Sequence, residues 1–374
     1  MAKAKRPGTR RLDNAAYRRG REDGYALGRS DGHWQGVCES VVRRATPVPV
    51  KRPVHVLYVT SGKGFPYSPL DDGIIATLRV IAERVTIAVP TDDIAAIAAK
   101  ERPHFLLALD GMHLPLDKIH AVNGLGVRTA IWFTDDPYYS DVTADIAIHY
   151  SHVFTLERNC VPLYLQRGCA NVYYLPLGVF PGAYRPRNTD LAMRGEICFI
   201  GSAYWNRVNL FNQLMPLISH RRLYISGFWW DRLTEYERWK GVIELGNWME
   251  PEETTERYNA HKIVINSHRA HDDGTFNQNS AQITALSPNP RTFEISASAT
   301  LQLTDWREDL AQYYIPGHEI VTYDSPEDLA AKAEYYLEHE EERKMIALRG
   351  LYRTLKDHTY VSRLNQLIDL MKNG

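Results

Sequence analysis

Twice along this chain, short runs of β-branched and aromatic residues alternate with helical stretches, and a chain patterned in this way has few folds open to it. The first series runs 54–60 (VHVLYVT), 85–89, 104–109, 129–133, 153–156 and 172–175, with amphipathic stretches such as 71–84 between the runs. The second runs 196–200, 223–226, 242–245, 262–266, 300–304 and 319–322, with a helical stretch at 205–218 and another opening at Pro290. Strands joined through helices pair in parallel, with helices on both sheet faces. The expected fold class is therefore α/β, two Rossmann-like doubly wound domains in tandem facing a cleft. A length of 374 residues, 44% of them hydrophobic, is enough for two cores. The boundaries read as an extension at 1–52, an N-terminal domain at 53–187, a C-terminal domain at 188–358, and a last helix at 359–374 that can pack back on the N-terminal domain. In such folds ligands lie outside the carboxyl ends of the strands.

The extension is a separate compositional unit, with 13 Lys/Arg against 5 Asp/Glu in 1–52 although the whole chain carries −1. Residues 1–11 are basic and nearly free of apolar side chains, so disorder is expected there. From Gly20 a glycine recurs at every fourth position, through Gly24, Gly28, Gly32 and Gly36. On a helix these form one slowly drifting stripe that admits another backbone, which makes self-association of two chains one expectation and a flexible basic tail the other. Three prolines in 45–53 mark a linker. No run approaches the ~18 apolar residues of a membrane span, and no apolar leader opens the chain, so no membrane span and a cytoplasmic location are expected. Cys38, Cys160, Cys169 and Cys198 form no CxxC pair or metal-ligand spacing, and are expected reduced and structural.

The chemistry gathers at 289–294, NPRTFE. Asn289 is a favoured N-cap and Pro290 suits the first helical position. The free N–H groups and positive dipole end of that helix, near Thr292, can hold a diphosphate, with Arg291 adding charge. Glu294, one turn further in, can accept hydrogen bonds from two vicinal hydroxyls. An ordinary capped helix bearing a surface Arg and Glu is the alternative that these six residues alone leave open.

The wider run 289–303, then Thr304-Asp305, then 317–323 (GHEIVTY), and the helix through Tyr335-Tyr336-Leu337 resembles the C-terminal domain of the spore-maturation-protein-like (CgeB-like) glycosyltransferases, in the GT-B group related to glycosyltransferase families 1 and 4. The resemblance covers about the last 180 residues. It implies transfer of a sugar, a hexose by expectation, from a nucleoside-diphosphate sugar, UDP by family expectation, with Glu294 on the ribose and the adjacent helix start on the diphosphate. It extends less strongly to Gly201, Ser202 and Arg207 as the first loop of the donor domain, and to Asn266, His268 and Arg269 at a strand end. One departure stands out: related retaining enzymes carry an earlier glutamate about two turns upstream of Glu294, where this chain has Ala285-Leu286-Ser287.

In the N-terminal domain, Asp135 and Asp136 lie at a strand's carboxyl end, where they can serve an acceptor hydroxyl as base, or where Asp136 can cap a helix. His113, after another strand, is an acceptor contact or a surface histidine. No Asp-x-Asp occurs, and adjacent pairs such as Asp135-Asp136 diverge on a strand, so no metal and no cofactor are expected, with helix dipole and arginine stabilising the leaving group. The acceptor is open: a glycan, a protein or a modified nucleic acid. The rival readings are a sugar-nucleotide epimerase, a non-catalytic nucleotide-sugar-binding or coat-assembly protein, and a nucleic-acid-modifying enzyme suggested by the basic N-terminus.

Overall fold

The computed structural model describes residues 14–373; the disorder expected at 1–11 lies outside them. A long helix α1 (Asn14–Ala45) leads into β1 (Arg52–Val59), α2 (Ser68–Ile81), β2 (Ala82–Ala88), α3 (Ile94–Glu101), β3 (Phe105–Leu109), α4 (Leu116–Gly124), β4 (Arg128–Phe133), α5 (Ser140–Ala147), β5 (His152–Thr155), α6 (Cys160–Gln166) and β6 (Val172–Tyr174). The second half runs β7 (Gly195–Ile200), α7 (Trp205–Ile218), β8 (Leu223–Gly227), α8 (Tyr236–Trp239), β9 (Ile243–Leu245), α9 (Pro251–Ala260), β10 (His261–Asn266), α10 (Pro290–Ala297), β11 (Leu301–Asp305), α11 (Leu310–Tyr313) and β12 (Val321–Tyr323). Three helices close the chain, α12 (Pro326–Glu338), α13 (Glu340–Asp357) and α14 (Tyr360–Asn373).

The strands form two six-stranded sheets, ordered β2-β1-β3-β4-β5-β6 and β12-β11-β10-β7-β8-β9. Every pairing is parallel, as the α/β reading requires. β1, β3, β4 and β10 are buried almost throughout, because helices cover both faces of the sheets. In the second sheet the strand order reverses between β7 and β10, so a crevice opens beyond Ile200 and Asn266.

α14 leaves the second domain and covers the first sheet, burying Tyr360, Leu364, Leu367, Ile368 and Met371 against Val54, Tyr58, Ile74 and Leu78. The end of α1 packs on α13, with Trp34, Cys38, Val41 and Val42 against Leu351 and Leu355. The glycines of α1 have open space where a Cβ would stand, so among the described residues no backbone packs on the stripe. No helix among the described residues is long and apolar enough to cross a membrane.

Candidate active site

A cavity of about 350 Å³ lies between the carboxyl ends of the two sheets. Its second-domain wall begins with the capped helix. The Asn289 side chain accepts from Thr292 N–H at 3.0 Å, and its amide donates to Asn266 Oδ1 at 3.0 Å. Asn266 in turn donates to the Thr292 hydroxyl at 3.0 Å. Asn266 and Thr292 are fully buried, so they fix where α10 starts and do not line the cavity. Pro290 has no N–H and Thr292 N–H is capped, which leaves Arg291 N–H as the free donor of the first turn.

Two guanidinium groups converge beside this helix start. A Cβ on Gly201 would lie 3.1 Å from Arg291 and 3.3 Å from Arg207. With φ at +155°, a side chain at this position would be strained and would push on both guanidinium groups. Gly227 is equally constrained, because its own Cβ would collide with the Gly201 carbonyl. Arg207 donates to Ser267 O at 3.0 and 2.7 Å and to Ser202 O at 2.8 Å, tying together the loops on either side of the crevice. Burial, with Arg291 nearby, lowers its pKa to about 9. Neither arginine makes a direct ion pair among the described residues, although Glu294 acts on Arg291 and Asp305 on Arg207 from further off, so two adjacent cations face the cavity without a carboxylate in contact.

Glu294 lines the same wall. Burial pushes its carboxyl up to about 7, against the opposing influence of Arg291 and the Tyr184 hydroxyl. Arg269 also lines the cavity, its guanidinium over the rings of Tyr138 at 4.6 Å and Tyr204 at 4.4 Å. His268 does not line it: fully buried, it holds Asp305 through Nδ1 at 2.5 Å.

From the other domain, the two aspartates after β4 diverge. Asp135 lines the cavity, accepts from the Tyr67 hydroxyl at 2.9 Å, and lies 3.6 Å from Lys63 Nζ. Burial raises its pKa, and Lys63 opposes the rise. Asp136 also borders the cavity, but its carboxylate is held by its own domain, accepting from Thr143 at 3.0 Å, Thr155 at 2.6 Å and Tyr164 at 2.7 Å. Three of its acceptor positions are engaged and the residue is 1% exposed, so its carboxylate is anchored in the fold. Its reading as a helix cap is corrected, because α5 starts only after Tyr139. His113 is exposed, rests on Gly62 O at 3.2 Å and stays outside the cavity wall.

Glu157, which the sequence reading omits, is 1% exposed at the end of β5. Its carboxylate crosses to the second domain and accepts from Leu286 and Ser287 N–H, each at 3.0 Å. A carboxylate thus stands at the 285–287 segment that lacks its own glutamate, supplied by the opposite domain. The available signal was position, the same strand-end argument that singles out Asp135. Further bonds join the domains through the 267–288 loop: Tyr138 to Arg269 O at 3.0 Å, Ser140 to Asn279 at 3.0 Å, and Ser280 to Asp141 at 2.7 Å.

Four likenesses bear on the chain. A glycosyl transferase-like family pattern matches residues 207–369. Spore protein CgeB of Bacillus subtilis (strain 168) is 30% identical over 308 residues, 82% of this chain and 95% of that protein. Among solved structures, Anabaena Alr3699/HepE in complex with UDP and glucose superposes with a TM-score of 0.57 at 9% identity, over 86% of this chain and all of that one. Sucrose-phosphate synthase from Thermosynechococcus elongatus gives 0.55 at 11% identity, over 86% of this chain and 99% of that one. At such identities the structural likeness carries the GT-B fold alone.

Proposed function

Since the chain belongs to the CgeB-like family of glycosyltransferases, we propose that it moves a sugar from a UDP-sugar to an acceptor hydroxyl, holding the diphosphate without a metal ion. The observation that carries this reading is the pair Arg207 and Arg291, side by side at Gly201 and the start of α10 with no carboxylate in contact. A diphosphate there would receive charge-assisted hydrogen bonds from Arg291 and from the Arg291 N–H, in the field of Arg207. Charge developing on the leaving group would be met by dipoles already in place. Glu294 is assigned to the ribose hydroxyls and Asp135 to the acceptor, whose proton it takes as base. Asp135 suits that role because burial raises its basicity while Tyr67 and Lys63 hold it in place.

A calorimetric and thermal-shift screen of nucleoside diphosphates tests the reading. A ligand at 100 times its Kd stabilises the fold by about 2.7 kcal/mol, and the expected ligand is UDP, with the effect lost in Arg291→Ala. Turnover of UDP-sugar should continue in excess chelator. No shift with any nucleotide, or activity restored only by added divalent metal, would overturn the proposal. Analysis of the sugar after incubation with donor alone separates an epimerase from a transferase.

A further inference from the structure

We infer that the donor domain carries a second anion site, for a small phosphate-class anion, at the end of its sheet opposite the cleft. A cavity of about 380 Å³ is walled there by Gly195, His261 and Leu301, the first residues of β7, β10 and β11. Strands of five or six residues put it roughly 16–20 Å from the cleft at their other ends. It is a separate place, and the transfer chemistry described above makes no use of it.

Six cations line this cavity: Arg187, Arg194, Arg222, Lys262, Arg343 and Lys344. Two carboxylates answer them. Asp31, reaching in from α1, pairs with Arg194 at 2.7 Å, and Glu340 pairs with Lys344 at 2.5 Å. Arg187, Arg222, Lys262 and Arg343 make no ion pair among the described residues. His261 adds no charge at neutral pH, since burial holds it neutral.

Two of the unanswered cations are held in place by the fold. Arg343 is only 6% exposed and donates through Nη1 to Tyr336 O at 3.0 Å. Arg187 donates to Ala183 O at 3.1 Å, while its buried Nε has no partner. Glu340 also acts on Arg343 and Lys262 from further off, but six cations against two carboxylates leave the lining of this concave, partly desolvated pocket net positive, and an anion entering it lowers the repulsion. Guanidinium groups favour a phosphate, whose oxygens accept two parallel hydrogen bonds. Leu27, Asp31 and Trp34 of α1 form one wall, so an anion bound here also joins α1 to the donor domain.

The test is a calorimetric titration of the full chain with inorganic pyrophosphate at fixed ionic strength, on wild type and on Arg291→Ala, in which the cleft has lost one of the cations assigned to the diphosphate. A binding event that persists in Arg291→Ala is expected. It should weaken at least tenfold when Arg222→Ser and Lys262→Ser are added, both of them exposed side chains whose loss leaves the fold intact, and also in Arg343→Gln. Unchanged thermal melts of the Arg222→Ser, Lys262→Ser protein verify that folding survives. Pyrophosphate binding that disappears in Arg291→Ala, or that is unaffected by the Arg222→Ser and Lys262→Ser pair, overturns the inference. Because Arg291 belongs to the cleft and Arg222 and Lys262 to this second cavity, failure of the UDP reading and failure of this one give different results.

Discussion

The Glu294 carboxyl, with a pKa near 7, is half protonated at neutral pH. A carboxyl accepting hydrogen bonds from ribose hydroxyls must be ionised, so UDP affinity should fall by nearly tenfold per pH unit below about 7 and level off above it. Glu294→Gln should bind weakly with a flat pH profile; a wild-type profile that is flat from pH 5 to 8 removes this role. Stability moves with the same group. Its folded pKa lies above the unfolded value, so the fold loses stability as pH rises from about 4.5 to 7, by about 3 kcal/mol at most. Thermal melts should therefore show Glu294→Gln gaining on wild type at pH 8 and not at pH 4. The neighbouring aspartates separate function from structure. Asp135→Asn should abolish turnover at nearly unchanged melting temperature, whereas Asp136→Ala should destabilise by several kcal/mol, because it leaves three buried hydroxyls without their acceptor. The residue types around the cleft were legible, since strand-end aspartates and a capped Asn-Pro-Arg helix are local signals. Which of Asp135 and Asp136 has its carboxylate tied up in the fold was not, because that depends on where the hydroxyls of Thr143, Thr155 and Tyr164 gather.

At the scale of elements, all the strands stand within a few residues of their expected places, because each is a short β-branched run that periodicity and punctuation mark locally. α9 is absent from the sequence reading, although Pro251 with Glu252 and Glu253 in the first turn offered a helix-start signal. The 267–288 loop reads only as polar, and its docking on the N-terminal domain could not be read, since its partners Tyr138, Ser140, Asp141 and Glu157 come from the opposite domain. α10 provides the element-scale prediction. Asn289 holds the first turn and, through Asn266, its distance from β10. Asn289→Ala should cost about 1–2 kcal/mol in chemical denaturation and lower UDP affinity, because the helix end no longer points at one place. A loss of stability with unchanged UDP affinity would mean that α10 does not position the diphosphate. In α1 the packing falls to Trp34, Cys38, Val41 and Val42 rather than to the glycines. Self-association through the open glycine stripe remains a proposal that light scattering of the chain with and without 1–44 would test.

Across the whole molecule the two domains share more than a cleft, because the last helix of the chain completes the core of the first domain. Tyr360, Leu364, Leu367, Ile368 and Met371 are each at most 3% exposed against the first sheet. Burying a side chain of this size contributes roughly 1.5–3 kcal/mol, so the five together contribute on the order of 8–15 kcal/mol. That equals the full stability of an ordinary domain. A chain ending at His358 is therefore expected to lose the cooperative unfolding of its N-terminal domain, not merely to melt a few degrees lower. The second domain keeps its own core, centred on Phe199, Phe211, Trp230 and Leu303, so limited proteolysis should degrade the first half and leave a protected fragment beginning near β7. The covering helix also joins residues more than 280 positions apart, as in Arg52 to Asp369, and non-local closure of this kind slows folding. Leu364→Ala and Leu367→Ala, which leave the helix in place, should each cost about 2–5 kcal/mol and act on the first domain selectively. A truncated chain whose first domain still unfolds cooperatively and resists protease would show that the domain's core closes without α14.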